Sequence, residues 1–350
     1  MRKKICSYLD YSYRKLNYAK IICYRGAVPT GNELHLNFDL NDGCNINCVM
    51  CSKKNNYVTQ QCISPDIFAS NVVEIFATVD DFQCGCMFEP LMYPDFDDAI
   101  RLIKQQLKGE IRGSLVCNGT LLDESKRQIL IQSGIFKRVR ISFDGAYKAT
   151  FEAIRRGAKY DQVVANVAAL VAEKERAACD INIEFNCTIM PQNIEELPDL
   201  ITLAADLGVN SVTTHKLFPD DYGDVEQGYY NVLVKNMQAA SERAAHLKIE
   251  FTGQEYRAAE DAVFRQEKLA NNLCGYVQKP LVLRLSPDGY IHTPCRQIVG
   301  PLGNIFGNSF AEIVDSKKFR FMLDCFHNPN KRICRMCYMF EIPDAVPAVS

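Results

Sequence analysis

Apolar and polar positions alternate most regularly at Leu34-His35-Leu36-Asn37-Phe38-Asp39-Leu40, where the four apolar side chains would line one face of a β-strand. The same reading places further strands near 82–88, 112–117, 137–143, 181–189 and 210–216. Helical periodicity falls between them, near 65–78, 95–108, 122–133, 147–175 and 193–207. Strand and helix in strict alternation imply parallel strands joined by right-handed crossovers, so residues 34–217 read as an α/β unit of six strand–helix repeats.

The pattern changes on either side of that unit. Residues 1–33 are rich in tyrosine and basic groups and are broken from the first strand by Gly26, Pro29 and Gly31, which suits a short lead-in. Residues 218–270 begin with the polar turn Pro219-Asp220-Asp221-Tyr222-Gly223-Asp224 and continue as linking helices near 229–246 and 255–271. From 271 to 340 the order is a hairpin, Leu281 to Leu285 and Tyr290 to Thr293 around Pro287-Asp288-Gly289, then a helix near 309–323; residues 341–350 form a tail.

The chain of 350 residues can bury a sizeable core, and its net charge of −2 leaves no basic footprint for nucleic acid and no polybasic membrane patch. No apolar run approaches a membrane span, and the first residues lack an apolar signal region, so a soluble, cytoplasmic protein is expected. Against that background sixteen cysteines argue for metal ligation rather than disulfides. Cys23, Cys117 and Cys187 lie singly in apolar stretches and read as small buried hydrophobes.

Three other thiols are clustered. Cys44, Cys48 and Cys51 follow the first strand on a loop. Four thiolates close a [4Fe–4S] cluster, so a compact set of three leaves one iron open. Structural zinc wants a fourth ligand nearby, and the next candidate, Cys62, is eleven residues further on. The C-x₃-C-x₂-C spacing at the first strand-to-loop junction resembles the radical S-adenosylmethionine (SAM) superfamily. The resemblance implies a partial (β/α)6 barrel with ligands gathered at the carboxyl ends of its strands. It also implies that SAM chelates the open iron through its amino and carboxylate groups and is cleaved reductively to a 5′-deoxyadenosyl radical. Cys44, Cys48 and Cys51 would ligate the cluster, and Met50 stands where the family places an adenine-facing residue.

Later strand ends extend the resemblance. Cys84-Gly85-Cys86-Met87-Phe88-Glu89-Pro90 is similar to the family's Gly-Gly-Glu-Pro segment, with Glu89 as acceptor for the SAM ammonium. Met87 and Phe88 stand where glycines are usual, and Cys84 and Cys86 read as packing or pocket-wall thiols. Asn118, in Asn118-Gly119-Thr120, would hydrogen-bond the cofactor or simply form a turn. Val139-Arg140-Ile141-Ser142-Phe143-Asp144-Gly145-Ala146, followed by Ile154-Arg155-Arg156-Gly157, resembles the SPASM/twitch branch. There Ser142 would meet the SAM ribose or carboxylate, and Arg155 would pair with the carboxylate through parallel hydrogen bonds. Without the family, Asp144 reads as a helix N-cap and Arg155 as an exposed helix charge. Asn186 and Cys187 face opposite sides of their strand, and either one could meet substrate.

The second cysteine set surrounds the hairpin. Cys274, Cys295, Cys334 and Cys337 fit the twitch form of the SPASM extension and would hold one auxiliary [4Fe–4S] cluster, with Cys325 as a substitute ligand; a zinc ribbon uses the same thiols. The resemblance implies an oxidoreductase or epimerase that abstracts hydrogen from an unreactive C–H bond, with a reductant such as flavodoxin or ferredoxin as partner. Thirty-three residues ahead of the barrel are too few for a leader-binding winged helix, so the expected substrate is a small molecule such as a sugar or aminocyclitol. A peptide substrate is the alternative. A non-catalytic iron–sulfur or zinc protein is the reading from another class.

Overall fold

A computed structural model describes residues 34–51, 61–85, 87–107, 109, 112–216, 227–253, 281–293 and 300–327. The lead-in, the helix expected near 255–271, Cys86, the expected auxiliary-cluster ligands Cys274, Cys295, Cys334 and Cys337, and the tail lie outside the described residues. Cys325 lies on the helix Lys317–His327.

The strands are β1 (Leu34–Phe38), β2 (Asn47–Cys48), β3 (Asp81–Cys84), β4 (Arg112–Cys117), β5 (Phe136–Ser142), β6 (Arg155–Arg156), β7 (Asn182–Ile189), β8 (Ser211–Lys216), β9 (Glu250–Gly253), β10 (Leu281–Leu285), β11 (Tyr290–His292) and β12 (Gly303–Asn304). Six of them, β1, β3, β4, β5, β7 and β8, stand side by side in chain order and pair in parallel, as the alternating pattern requires. Helices Phe96–Gln106, Glu124–Ser133, Tyr160–Arg176 and Leu197–Asp206 connect them. The described sheet stays open, with β9 at one edge and β12 at the other.

Each strand has one apolar and one polar face, and the apolar face packs on the helices. Phe38 of β1 meets Phe76 edge-to-face at 5.2 Å, and Phe76 meets Phe82 of β3 at 5.4 Å, so the helical segment 65–77 is held by an aromatic cluster. On the other side of the sheet's middle, Phe143 stacks on Phe185 at 4.4 Å and meets Phe151 at 4.6 Å. Helix Tyr160–Arg176 buries Val163, Val167, Leu170 and Val171, spaced to form one stripe toward the sheet.

Two features depart from the sequence reading. The helix expected over 147–175 is two helices, Lys148–Ile154 and Tyr160–Arg176, separated by β6. Arg155 leaves the helical region at φ −96°, ψ 63°, and Gly157 takes φ +99°, a conformation that favours glycine. The second feature concerns the carboxyl-terminal extension. Its hairpin continues the barrel sheet, because β10 pairs in parallel with β1 and antiparallel with β11. Arg284 of β10 reaches Asp39 at 3.1 Å, and Asn71 Nδ2 donates to the Ile305 carbonyl at 2.7 Å, so the extension is fastened at both the sheet and the 65–77 segment.

Candidate active site

The site sits where the loops after β1, β3, β4 and β5 meet, at the carboxyl ends of the parallel strands. Strand β2, which is part of the cysteine loop, pairs antiparallel with β6, placing Cys48 opposite Arg155. Val49 N donates to the Ile154 carbonyl at 2.9 Å. The thiol loop is therefore stitched to the fourth strand–helix unit by backbone hydrogen bonds.

Arg155 reinforces that seam with its side chain. It is only 7% exposed. Its Nη2 lies 2.7 Å from Asp144 Oδ2, and its Nη1 donates to Cys48 Sγ at 3.7 Å. Its buried Nε has no hydrogen-bond partner among the described residues. Asp144 is fully buried and does not cap a helix: its Oδ1 accepts from Thr188 N at 2.7 Å. The start of helix Lys148–Ile154 is served instead by Glu196, which accepts from Ala146 N at 2.9 Å and Tyr147 N at 3.3 Å. The readings of Asp144 as an N-cap and Arg155 as an exposed charge are thus both corrected, because the two form a buried ion pair.

Glu89 and Asn118 build the opposite wall. Glu89 Oε2 accepts from Asn118 N at 2.7 Å and Oε1 from Leu91 N at 3.2 Å, while the Glu89 backbone N donates to the Gly43 carbonyl at 2.9 Å. Side chain and backbone of Glu89 together tie three strand-end loops, and each carboxylate oxygen keeps a second lone pair for a further donor. Burial raises its pKa to about 7, against the pull of the two backbone N–H groups. Asn118 Oδ1 accepts from Thr120 N at 2.9 Å, which is the turn geometry of an Asn-Gly pair. Its Nδ2 donates to Asn45 Oδ1 at 2.8 Å and lies 3.9 Å from Cys44 Sγ. The turn role and an orientation toward the thiols therefore coexist in one residue.

Met50 is half-buried between Cys48 and Cys51. Ser142 ends β5, half-buried, in register with Asn186 of β7 and through it with Thr213 of β8. Asn186 belongs to the polar face, and its buried Oδ1 has no hydrogen-bond partner among the described residues. Cys187, Cys84 and Cys117 belong to the apolar face and are buried in the core. The sequence reading missed Asn45, Thr120 and Asn41, whose amides and hydroxyl bind the loops to one another. Asn41 Nδ2 donates to the Glu89 carbonyl at 3.0 Å and its Oδ1 accepts from Gly43 N at 2.8 Å. The run of asparagines around the cysteines, Asn41, Asn45 and Asn47, was the available signal.

The donor set fits an iron–sulfur cluster. Cys44, Cys48 and Cys51 are half-buried free thiols. Thiolates are the usual protein ligands of such clusters, each held by a separate iron. Burial raises the Cys44 thiol above its ordinary pKa and pushes Cys48 up to about 11, with Arg155 pulling the latter back down. Metal coordination at these thiols would replace those protons. The amide of Asn118 and the guanidinium of Arg155 supply N–H donors to sulfur, and the orphaned Arg155 Nε suits a ligand's carboxylate.

An open, parallel α/β sheet with a three-thiol loop at its carboxyl end defines a class of iron–sulfur enzyme scaffold. Residues 39–204 match the family described as the Radical SAM superfamily, and residues 277–338 match SPASM, an iron–sulfur cluster-binding domain. The chain belongs to the radical SAM superfamily, in its SPASM/twitch branch, and its cofactors are SAM and [4Fe–4S] clusters. The SPASM match takes in Cys295, Cys334 and Cys337 and begins after Cys274. A curated relative, an AdoMet-dependent heme synthase of Methanosarcina barkeri, is 25% identical over 189 residues, 53% of this chain and 51% of that protein. The chain thus spans about half the length of the curated relative it matches.

Among solved structures, Streptococcus suis SuiB bound to S-adenosylmethionine is similar with TM-score 0.63 and 13% identity, over 88% of this chain and 71% of that chain. Native anSMEcpe with bound AdoMet is similar with TM-score 0.61 and 17% identity, over 87% and 88%. At such identities these likenesses establish the shared fold. Among the described residues no helix is long and apolar enough to cross a membrane.

Proposed function

We propose that this radical SAM enzyme abstracts hydrogen from a small polar metabolite, of the sugar or aminocyclitol kind, as the opening step of a dehydrogenation or epimerisation. When bound at Cys44, Cys48 and Cys51, the cluster supplies the electron that cleaves SAM. The chain's own residues position and shield. Arg155 holds the SAM carboxylate through its free Nε edge, Glu89 receives the ammonium on its remaining lone pairs, Ser142 and Asn118 meet the sugar or carboxylate, and Met50 faces the adenine. Cys274, Cys295, Cys334 and Cys337 hold the auxiliary cluster, and a flavodoxin or ferredoxin delivers electrons.

The observation that carries the substrate reading is the polar face of the barrel strands. His35, Asn37, Gln83, Arg140, Ser142, Glu184 and Asn186 all lie on the side opposite the helix-packed aromatic cluster. Arg140 Nη1 of β5 donates to Gln83 Oε1 of β3 at 3.1 Å, reaching over β4, and Arg140 Nε lies 3.0 Å from Glu184. A wall of amides and paired charges suits a ligand with many hydroxyl or amino groups, and the unpaired Asn186 Oδ1 calls for one such donor. A peptide-modifying activity is the second reading.

The test is anaerobic reconstitution of the wild type and of a variant with Cys44, Cys48 and Cys51 all replaced by alanine. Iron, sulfide and 5′-deoxyadenosine are measured together. About eight irons falling to about four, with deoxyadenosine lost, is the expected result. About four falling to none would remove the auxiliary cluster from the proposal. Sugars and aminocyclitols should stimulate deoxyadenosine formation more than short peptides do; stimulation by peptides alone would replace the metabolite reading with the maturase one.

A further inference from the structure

We infer that the buried Asp144–Arg155 pair is a positioning device for the Cys48 ligand that sets the reduction potential of the SAM-binding cluster. Its role is distinct from that of the free guanidinium edge assigned to the SAM carboxylate. The inference rests on the radical SAM reading of the thiol loop. Three contacts carry it. The backbone of Arg155 pairs with Cys48, its Nη1 donates to Cys48 Sγ at 3.7 Å, and its Nη2 is held 2.7 Å from a carboxylate with no exposure to solvent.

A guanidinium has two amino ends and one Nε–H edge, each with its own direction. Here one amino end is committed to sulfur and the other to Asp144, so the plane of the group is fixed before any ligand arrives. Asp144 is fixed in turn. Its Oδ1 accepts from Thr188 N at 2.7 Å, and its backbone carbonyl accepts from Asn193 Nδ2 at 3.0 Å. Asn193 is itself buried and also donates to the Thr188 carbonyl at 2.9 Å. The orientation of the Cys48 ligand is therefore anchored in the end of β7, the strand whose polar face carries Asn186.

The electrostatic consequence has a sign. Adding an electron to a cluster increases its negative charge, and a cationic N–H donor at a ligand sulfur stabilises that state; a buried carboxylate nearby opposes it. Arg155 thus raises the potential and Asp144 moderates it. A residue that served only the SAM carboxylate would leave the SAM-free cluster unchanged.

The experiment is a redox titration of the SAM-free, reconstituted enzyme, followed by electron paramagnetic resonance. The signal of the variant with alanine at Cys44, Cys48 and Cys51 is subtracted to isolate the SAM-binding cluster. Arg155→Gln should shift the potential negative by about 59 mV, a tenfold change in the one-electron equilibrium. Arg155→Lys, which keeps the charge but loses the fork, should shift it less. Asp144→Asn should shift it in the positive direction. If Arg155→Gln fails to retain the cluster, Asp144→Asn decides: a positive shift supports the inference, and an unchanged potential overturns it. Unchanged potentials in all three variants, with SAM affinity alone reduced, would also overturn it. The wild-type signal should change when SAM is added. Failure of that change would count against the radical SAM reading itself while leaving the comparison of potentials readable.

Discussion

Two groups of cysteines in this chain are alike in chemistry and opposite in setting. Cys44, Cys48 and Cys51 sit half-buried on a loop beside Asn118, whose Nδ2 lies 3.9 Å from Cys44 Sγ, and Arg155, whose Nη1 donates to Cys48 Sγ. Cys84, Cys117 and Cys187 are on the apolar faces of β3, β4 and β7, buried in the core between sheet and helices. Burial holds the Cys117 and Cys187 thiols well above their ordinary range, opposed by the Gly119 N–H and Arg155 at Cys117 and by Arg155 at Cys187. The contrast shows that a thiol's role follows from which side of the strand it stands on and which donors surround it. A position one residue away, Asn186 against Cys187, is enough to move from the polar face of the sheet to the core.

The sharpest way to break that comparison is thiol labelling with iodoacetamide, read residue by residue by peptide mass spectrometry. In metal-free protein, Cys62, which is exposed, and the three loop thiols should react roughly a hundredfold faster than Cys84, Cys117 and Cys187, which need local opening. Reconstitution should then protect Cys44, Cys48 and Cys51 while leaving Cys62 reactive. Comparable labelling of Cys187 and Cys48 would mean that the two settings do not differ as described.

A second contrast lies between two glycines of the same backbone handedness. Gly85 follows β3 at φ +83°, and a Cβ there would stand inside contact distance of the Val116 carbonyl oxygen and press on Pro90. Gly134 closes helix Glu124–Ser133 at φ +70° with nothing within 4 Å of an added Cβ. Gly85→Ala should cost about 3 kcal/mol of stability, combining left-handed strain with a backbone collision, whereas Gly134→Ala should cost about 1 kcal/mol from strain alone. Urea unfolding of the two variants measures the difference. Equal costs would show that the loop after β3 has room to move away from β4.

Much of this was legible in the chain because local pattern carries it. The six parallel strands follow from apolar alternation, and the three-thiol loop follows from spacing, since neither depends on distant partners. The losses have a common physical cause, which is that they are contacts across the fold. Asp144 and Arg155 are eleven positions apart, yet their pairing depends on a helix that ends at Ile154 and a short β6 that turns back to the thiol loop. Nothing in periodicity separates that break from a continuous helix except the Gly157 that ends it. The joining of the extension to β1 was likewise invisible, because the parallel register of Leu34 with Leu281 spans most of the chain. Strand β9, only four residues long, lies beyond the six alternating units and was not anticipated.

A third contrast concerns the wall opposite Arg155, between Glu89 and its uncharged analogue. Glu89 is 2% exposed, and burial raises its pKa from 4.5 to about 7 although two backbone N–H groups favour its ionised form. In the unfolded chain the same carboxyl ionises in the ordinary range, so between those two values the native state holds the proton that the unfolded state has released. Stability therefore falls as pH rises through this window, because ionisation in the folded state must overcome desolvation. Between pH 5 and pH 7 the loss attributable to this group should be about 2 kcal/mol. Urea titrations of metal-free protein at several pH values, with Glu89→Gln as the comparison, isolate it. The glutamine cannot ionise, so its variant should show a slope flatter than wild type by that amount, whatever its absolute stability. Parallel slopes would mean that the carboxylate is already ionised at pH 5 and held so by Asn118 N and Leu91 N. In that case the Glu89 wall would carry a full negative charge beside Cys44 before any ammonium approached it.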